Sequence, residues 1–411
     1  MHKEVLMQVY IGIDWSESKH DVVAMNAAGA VLAQLTIPHS MEGFLQLIDL
    51  QEKLGMNSED CLVGLETAHN LIIDFLWSRG FGQVFVVPPR VVKSSRTRFR
   101  HSAARTDLSD ALVIADCLRT DRGRMQPWHP DSLLTQQIRA KVSLIHHLTR
   151  GIGRLYNRLR DVLLRYYPAA LDVFGNQSKV WLAFICAYGN PEKARKLTFE
   201  DFRLFARQHR YPNPALLLAA FARLQAPQPA ASATIVVVYE DEAHTLARLL
   251  LEMKTSKEKA LKELKNLFDQ HPDAPIFDSL PGAGDLLAPA LLAKFGDDRD
   301  RFTSPASVQA LAGTCPVTDA SGKRRVIKFR RACDREFRRI TQQWAKASLG
   351  KSVWANAYWL KVYSRRGYAS HAYRCLANRW LAILWRIWQD GVIYDETYHL
   401  QQRAMHSKAC N

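Results

Sequence analysis

The chain has 411 residues, 47% of them hydrophobic, and a formal net charge of +16. That length predicts two or three domains with real cores, and that charge predicts a polyanionic partner, nucleic acid ahead of membrane. No apolar stretch approaches the roughly 20 residues of a membrane span, Met1-His2-Lys3-Glu4 does not open a signal peptide, and seven scattered cysteines without a CxxC pair argue against both a zinc site and a disulfide framework. The expectation is a cytoplasmic protein with no membrane partner.

Taken in chain order, Gln8 to Asp14, His20 to Met25 and Val31 to Thr36 read as three strands, with Ala28-Gly29 making the second turn. A helix from Met41 to Leu54 follows, then the strand Cys61 to Glu66, helical periodicity over His69 to Arg79, and a short strand at Gln83 to Val87. Three adjoining strands and then alternating helix and strand predict a mixed sheet in an α/β domain. Arg90 to Arg105 holds six Lys and Arg residues and no acid, and leads into a helix carrying Asp107 and Asp110.

From Pro130 the pattern changes to long helices. Gln136 to Tyr167 spaces Ile138, Val142, Ile145, Leu148, Ile152, Leu155, Leu159 and Leu163 along one stripe. Its Arg residues either track a nucleic-acid backbone or form a solvated face. Residues 176 to 230 read as irregular helices punctuated by Pro212, Pro214, Pro227 and Pro229. Ala243 to Asp269 is either a coiled coil or a helix packed within the chain. Leu280-Pro281-Gly282-Ala283-Gly284 opens an apolar helix, Leu286 to Phe295, and is either a phosphate cradle of free N–H groups or a tight connection. Thr318 to Arg325 reads as an exposed, flexible stretch in which Ser321 is either a nucleophile or a turn cap. It enters the strongest basic patch, Lys323 to Arg339, with nine cations and two acids. Arg335 to Asp390 reads as Trp-rich helices, core or base-stacking in role, and residues after Tyr394 as a solvated tail.

The chemistry is carried by four carboxylates. Asp14 ends one apolar strand and Glu66 another, while Asp107 and Asp110 lie at i and i+3 on one helix face. Bare anions so grouped repel, and hard cations relieve that repulsion. Mg²⁺ takes oxygen ligands and favours phosphate substrates, and two such ions about 4 Å apart clamp a phosphodiester.

In these residues the chain resembles the transposases of the IS110 family. Gly12-Ile13-Asp14-Trp15-Ser16, Leu65-Glu66-Thr67-Ala68 and Arg105-Thr106-Asp107-Leu108-Ser109-Asp110-Ala111 look like the family's three acidic motifs. Leu280 to Gly284 and Leu311-Ala312-Gly313-Thr314-Cys315-Pro316 look like the landmarks of its C-terminal transposase domain, and Ser321-Gly322 falls where that domain carries its nucleophile. The resemblance implies an RNase H-like, RuvC-like DEDD domain over 1–130 and a helical, coiled-coil region over 131–270. It further implies a C-terminal transposase domain over 271–395, with a helix-hairpin-helix-like motif and the serine, and a tail over 396–411. It implies a recombinase of an insertion sequence in which Ser321 forms a phosphoserine link to DNA and the DEDD carboxylates hold Mg²⁺. A tetramer would assemble the composite site, and a structured guide RNA encoded by the element would pair with donor and target DNA. A prokaryotic, nucleoid-associated location goes with it. Nucleic-acid contacts are expected from Gly282, Gly284, Lys323, Arg324, Arg325, Lys328, Arg330 and Arg331, and from Arg96, Arg98 and Arg100. The alternatives are a RuvC-type, structure-selective two-metal nuclease and a non-catalytic nucleic-acid-binding protein.

Overall fold

The computed structural model describes residues 8–67, 71–96, 107–175, 177–229, 231–322 and 324–409. The chain divides after Pro130 into two compact units. The first holds β1 (Val9–Trp15), β2 (Lys19–Asn26), β3 (Val31–Pro38), α1 (Met41–Lys53), β4 (Cys61–Leu65), α2 (Leu71–Ser78), β5 (Gln83–Val86), α3 (Pro89–Ser95) and α4 (Asp107–Asp121). Its sheet order is β3-β2-β1-β4-β5. Strands β1, β2 and β3 pair antiparallel, and β1, β4 and β5 pair parallel.

The central strands are apolar on both faces because both faces are covered. Val9, Ile11, Ile13, Cys61, Val63 and Leu65 turn to one side, among Phe44 and Leu47 of α1 and Ile72 and Leu76 of α2. Tyr10, Leu62 and Phe85 turn to the other side, where Leu118 of α4 packs on them. Gly12 and Gly64 are direct register partners on that second face. A Cβ on Gly12 would lie 2.1 Å from the Ala111 carbonyl oxygen, and one on Gly64 would lie 2.8 Å from Ile114. Two adjacent glycines thus leave room for α4, whose backbone comes against Gly12 and whose Ile114 side chain comes against Gly64.

The second unit is helical apart from one hairpin. It contains α5 (Leu133–Tyr166), α6 (Lys179–Tyr188), α7 (Pro191–Arg195), α8 (Phe199–Gln208), α9 (Leu217–Gln225), α10 (Ala233–Phe268), α11 (Ala274–Asp278), α12 (Gly284–Phe295) and α13 (Pro305–Leu311). The hairpin β6 (Val317–Ser321) and β7 (Arg324–Lys328) follows, then α14 (Arg335–Ser348), α15 (Val353–Arg366), α16 (Ala369–Asp390) and α17 (Glu396–Ala409). Helices α5 and α10 run antiparallel, as pairing of Lys141 with Glu263 and of Arg158 with Glu242 requires. The apolar stripe of α10 is therefore used within the chain, against α5. The pair passes through two cores. One joins Leu159, Leu163, Leu246 and Leu250 to the Phe- and Trp-containing helices α6, α8 and α9. The other joins Ile138, Ile145, Leu264 and Phe268 to α12, α14 and α16.

Two stretches differ from the sequence reading. The stretch read as flexible, Thr318 to Arg325, is exposed as expected but belongs to an antiparallel hairpin, whose tight turn uses the left-handed Gly322 (φ 55°). The tail is also helical from Glu396, whose carboxylate accepts hydrogen bonds from the Ser352 hydroxyl and the Val353 amide, both at 3.0 Å. That contact caps the start of α15, so the helix has a reason to dock. The tryptophans of α14 and α16 are core. Trp344 donates to the Pro281 carbonyl at 3.1 Å and Trp380 to the Ser348 hydroxyl at 2.9 Å. Among the described residues no helix is long and apolar enough to cross a membrane.

Candidate active site

Side chains alternate along a strand, so Asp14 shares the face of Tyr10 and Gly12, and Glu66 that of Leu62 and Gly64. The last register pair is Ile13 with Leu65. One residue further, Asp14 and Glu66 stand side by side, both half-buried, at the same end of adjacent parallel strands. Both lie on the face covered by α4. That helix reaches the strand ends because Gly12 admits Ala111 and Ala115 to backbone contact. Asp110 immediately precedes Ala111, and Asp107 is the first residue of α4. The side chain of Asp107 lies outside the described residues, as do Arg98, Arg100 and Lys323.

Arg96, at the C-terminal end of α3, does not project into solvent as a backbone-tracking cation would. Its Nε donates to Asp110 Oδ1 at 2.6 Å and its Nη2 donates to Asp110 Oδ2. The hydrogen bond to Asp110 is the main cause of a raised Arg96 pKa, and the charges of Asp110, Glu66 and Asp14 add to it. A single guanidinium is thus within electrostatic reach of three carboxylates. Among the described residues no three His, Cys, Asp or Glu groups already converge as a metal cage. The donor chemistry nevertheless suits Mg²⁺, with only carboxylate oxygens offered and with a cation already drawn to them.

The serine lies in the second unit. Ser321 ends β6 and pairs with Arg324 across the Gly322-Lys323 turn. It is exposed, and its hydroxyl has no hydrogen-bond partner among the described residues. A serine that caps a turn spends its hydroxyl on the backbone; among the described residues this one makes no such bond. Arg324 and Arg325 are exposed beside it, while Lys328 pairs with Asp319 on the opposite strand. At the foot of the hairpin the Phe329 ring carries two guanidinium groups, Arg338 at 4.5 Å and Arg374 at 4.8 Å from its centre. Arg338 donates to the carbonyl of Arg330, which ties the hairpin's base to α14. Arg331 is exposed.

The glycines of the Pro-Gly-x-Gly turn divide in role. A Cβ on Gly282 would lie 2.6 Å from the backbone of Ala347, so close packing against α14 demands glycine there. Gly284, at φ 55°, has open space around it at the start of α12. Sequence reasoning missed Gly12 and Gly64, although glycine inside an apolar strand is itself a signal of close approach. It also missed the pairing of Arg96 with Asp110 and the Arg338–Phe329–Arg374 stack, whose members are far apart in sequence and carry no local sign of contact.

Comparison with known proteins agrees with both halves. A DEDD transposase model of the IS110 type matches residues 11–168, and the "Transposase IS116/IS110/IS902 family" matches residues 274–360. The "Mini-circle putative transposase for IS117" of Streptomyces coelicolor is 32% identical over 362 residues, covering 86% of this chain and 87% of that protein. The "Putative transposase y4uE" of Sinorhizobium fredii is 26% identical over 204 residues, 49% of this chain and 56% of that one. The "Insertion element IS110 uncharacterized 43.6 kDa protein" of Streptomyces coelicolor is 24% identical over 324 residues, 76% of this chain and 77% of that protein. With strand-end carboxylates in the first unit, a presented serine in the second, and a relative spanning nearly all of both, the chain belongs to the IS110 family of insertion-sequence transposases.

Proposed function

We propose that this transposase cuts and rejoins donor and target DNA through a phosphoserine link at Ser321, in a Mg²⁺-dependent reaction. The observation that carries this is the exposed Ser321 hydroxyl at the tip of a cationic hairpin, without a hydrogen-bond partner among the described residues. Its Oγ attacks the phosphorus of a DNA phosphodiester, a nucleotide oxygen leaves and takes up a proton, and the energy of the broken ester is kept in the seryl ester. A second strand's hydroxyl can then reverse the step without ATP. Serine is a weak nucleophile at neutral pH and needs help. Asp14, Glu66, Asp107 and Asp110 would hold Mg²⁺, which when bound stabilises charge on the transferring phosphoryl group. Arg324, Arg325, Arg330 and Arg331 neutralise flanking phosphates.

The strand order, with three antiparallel strands leading into two parallel ones, supports an RNase H-like reading of the first unit. Carboxylates and serine would be supplied by different protomers of a tetramer. Val237 and Val238, 66% and 62% exposed on α10, are apolar surface suited to such an assembly. A structured RNA from the same element would direct the choice of site, and the net charge of +16 suits a second polyanion.

The test is a cleavage reaction with Mg²⁺, boiled in detergent and resolved on a denaturing gel. A slow-migrating DNA–protein species is expected with the wild-type protein and none with Ser321→Ala. A water-using nuclease leaves no adduct in either case, and that result would reject the phosphoserine reading.

A further inference from the structure

Arg96 occupies the place where this reading puts a metal ion. Both of its donating nitrogens engage Asp110, one on each carboxylate oxygen. Its side chain and that of Asp110 are largely sheltered from water, 26% and 15% exposed, so the pair is less screened than an exposed surface bridge. Glu66 and Asp14 also act on the guanidinium. The forked geometry matters because guanidinium and carboxylate match edge to edge, leaving both oxygens of Asp110 already engaged.

A divalent ion binding at these carboxylates needs an oxygen of Asp110 and repels a guanidinium held beside it. The two cations therefore compete. With neither present, the half-sheltered Asp110 carboxylate would lose both of the hydrogen bonds that Arg96 gives it, which destabilises the start of α4.

We infer that Arg96 is an internal counter-ion that closes the carboxylate site in the metal-free protein and leaves Asp110 when a divalent cation is held there. This rests on the proposed Mg²⁺ role of the carboxylates. Arg96 is then a positioning residue, acting on the site's readiness and not on the phosphate. It also accounts for a cation of the basic run that is spent on a carboxylate of its own unit.

The experiment is calorimetric titration of the full chain with MgCl₂, paired with thermal melting in EDTA and in MgCl₂. Competition for one carboxylate predicts that Arg96→Gln binds Mg²⁺ about tenfold more tightly than wild type, by reciprocal linkage. The same variant should melt lower in EDTA, with the gap closing as Mg²⁺ is added. Arg96→Lys, which keeps the charge and loses the fork, should fall between the two in both readouts and serves if the Gln variant fails to fold. Asp110→Asn separates the two ideas. If it binds Mg²⁺ as wild type does, the carboxylate-site reading itself is wrong. If it loses Mg²⁺ while Arg96→Gln or Arg96→Lys binds no more tightly than wild type, the counter-ion inference fails and the metal site stands.

Discussion

The carboxylate end of the first unit and the serine hairpin of the second are built by opposite means. Asp14 and Glu66 directly follow the buried runs Val9 to Ile13 and Cys61 to Leu65, and α4 is pressed against those strands at two glycines. Position there comes from dense packing that tolerates no added atom. Ser321 is on a two-stranded ribbon whose residues are nearly all exposed, anchored at its foot by the contacts of Phe329 with Arg338 and Arg374. An isolated hairpin of this kind is marginal by itself. The contrast teaches that one half of the proposed site is held rigidly for charge, while the other is presented and gains definition from what it touches.

The largest effect should follow from breaking the packed half. Gly12→Val drives a branched side chain into the Ala111 backbone and should destabilise the first unit by about 3 kcal/mol or more. Thermal melting by circular dichroism would show it, and an unchanged melt would mean that α4 does not lie where it is placed. The equivalent change in the exposed half, at Ser321, should leave the melt untouched. Next, Asp14→Asn should lower Mg²⁺-dependent cleavage by on the order of 10²–10³-fold, the loss typical of one removed stabilising group. DNA affinity should hold, because the cations proposed to carry it are unchanged. Mixing Asp14→Asn with Ser321→Ala protein should restore activity if different protomers complete one site, since each supplies the part the other lacks. A mixture as dead as its components would place both parts in one protomer.

Smaller effects sharpen the same contrast. Arg324→Glu with Arg325→Glu should reduce the slope of log K against log salt by about 0.9 for each duplex-DNA phosphate that the protein no longer neutralises. Filter binding over a salt series measures it, and an unchanged slope would put the hairpin away from the nucleic acid. The packed half should also be acid-sensitive. His20 is buried, with His39 at 2.8 Å, and its pKa falls from 6.5 to about 4 through burial first and His39 second, against the pull of Asp21. Neutral His20 is therefore favoured by folding. Its stabilisation is complete above pH 6.5 and is lost as pH falls toward 4. Melting of the first unit should drop across that window, and His20→Gln should flatten the drop.

How much was legible in the sequence follows the same division. The strands of the first unit, their order of types and the acidic residues at their ends were readable, because buried strands and strand-end charges leave local patterns. Gly12 and Gly64 left a pattern too, but its meaning depended on knowing that α4 lies above both, a contact about 100 residues distant in the case of Gly12 and Ala111. The hairpin was read as a flexible, exposed stretch because its strands are short, polar and exposed, with the apolar alternation that marks a strand nearly absent. Its turn, Gly322-Lys323, was the available clue. The direction of Arg96 was not legible at all. A cation in a basic run looks the same whether it faces phosphate or carboxylate, and only the position of Asp110 decides.

The phosphoserine reading requires that Ser321 become covalently joined to DNA. The most direct measurement is to trap the adduct from a Mg²⁺ reaction, digest both protein and DNA, and locate the residual nucleotide by peptide mass spectrometry. The account predicts a nucleotide phosphate on the peptide containing Ser321, fragmenting to place it on that serine. A nucleotide on Thr318 or any other residue, or a complete absence of modified peptide under conditions where DNA is cut, would contradict it.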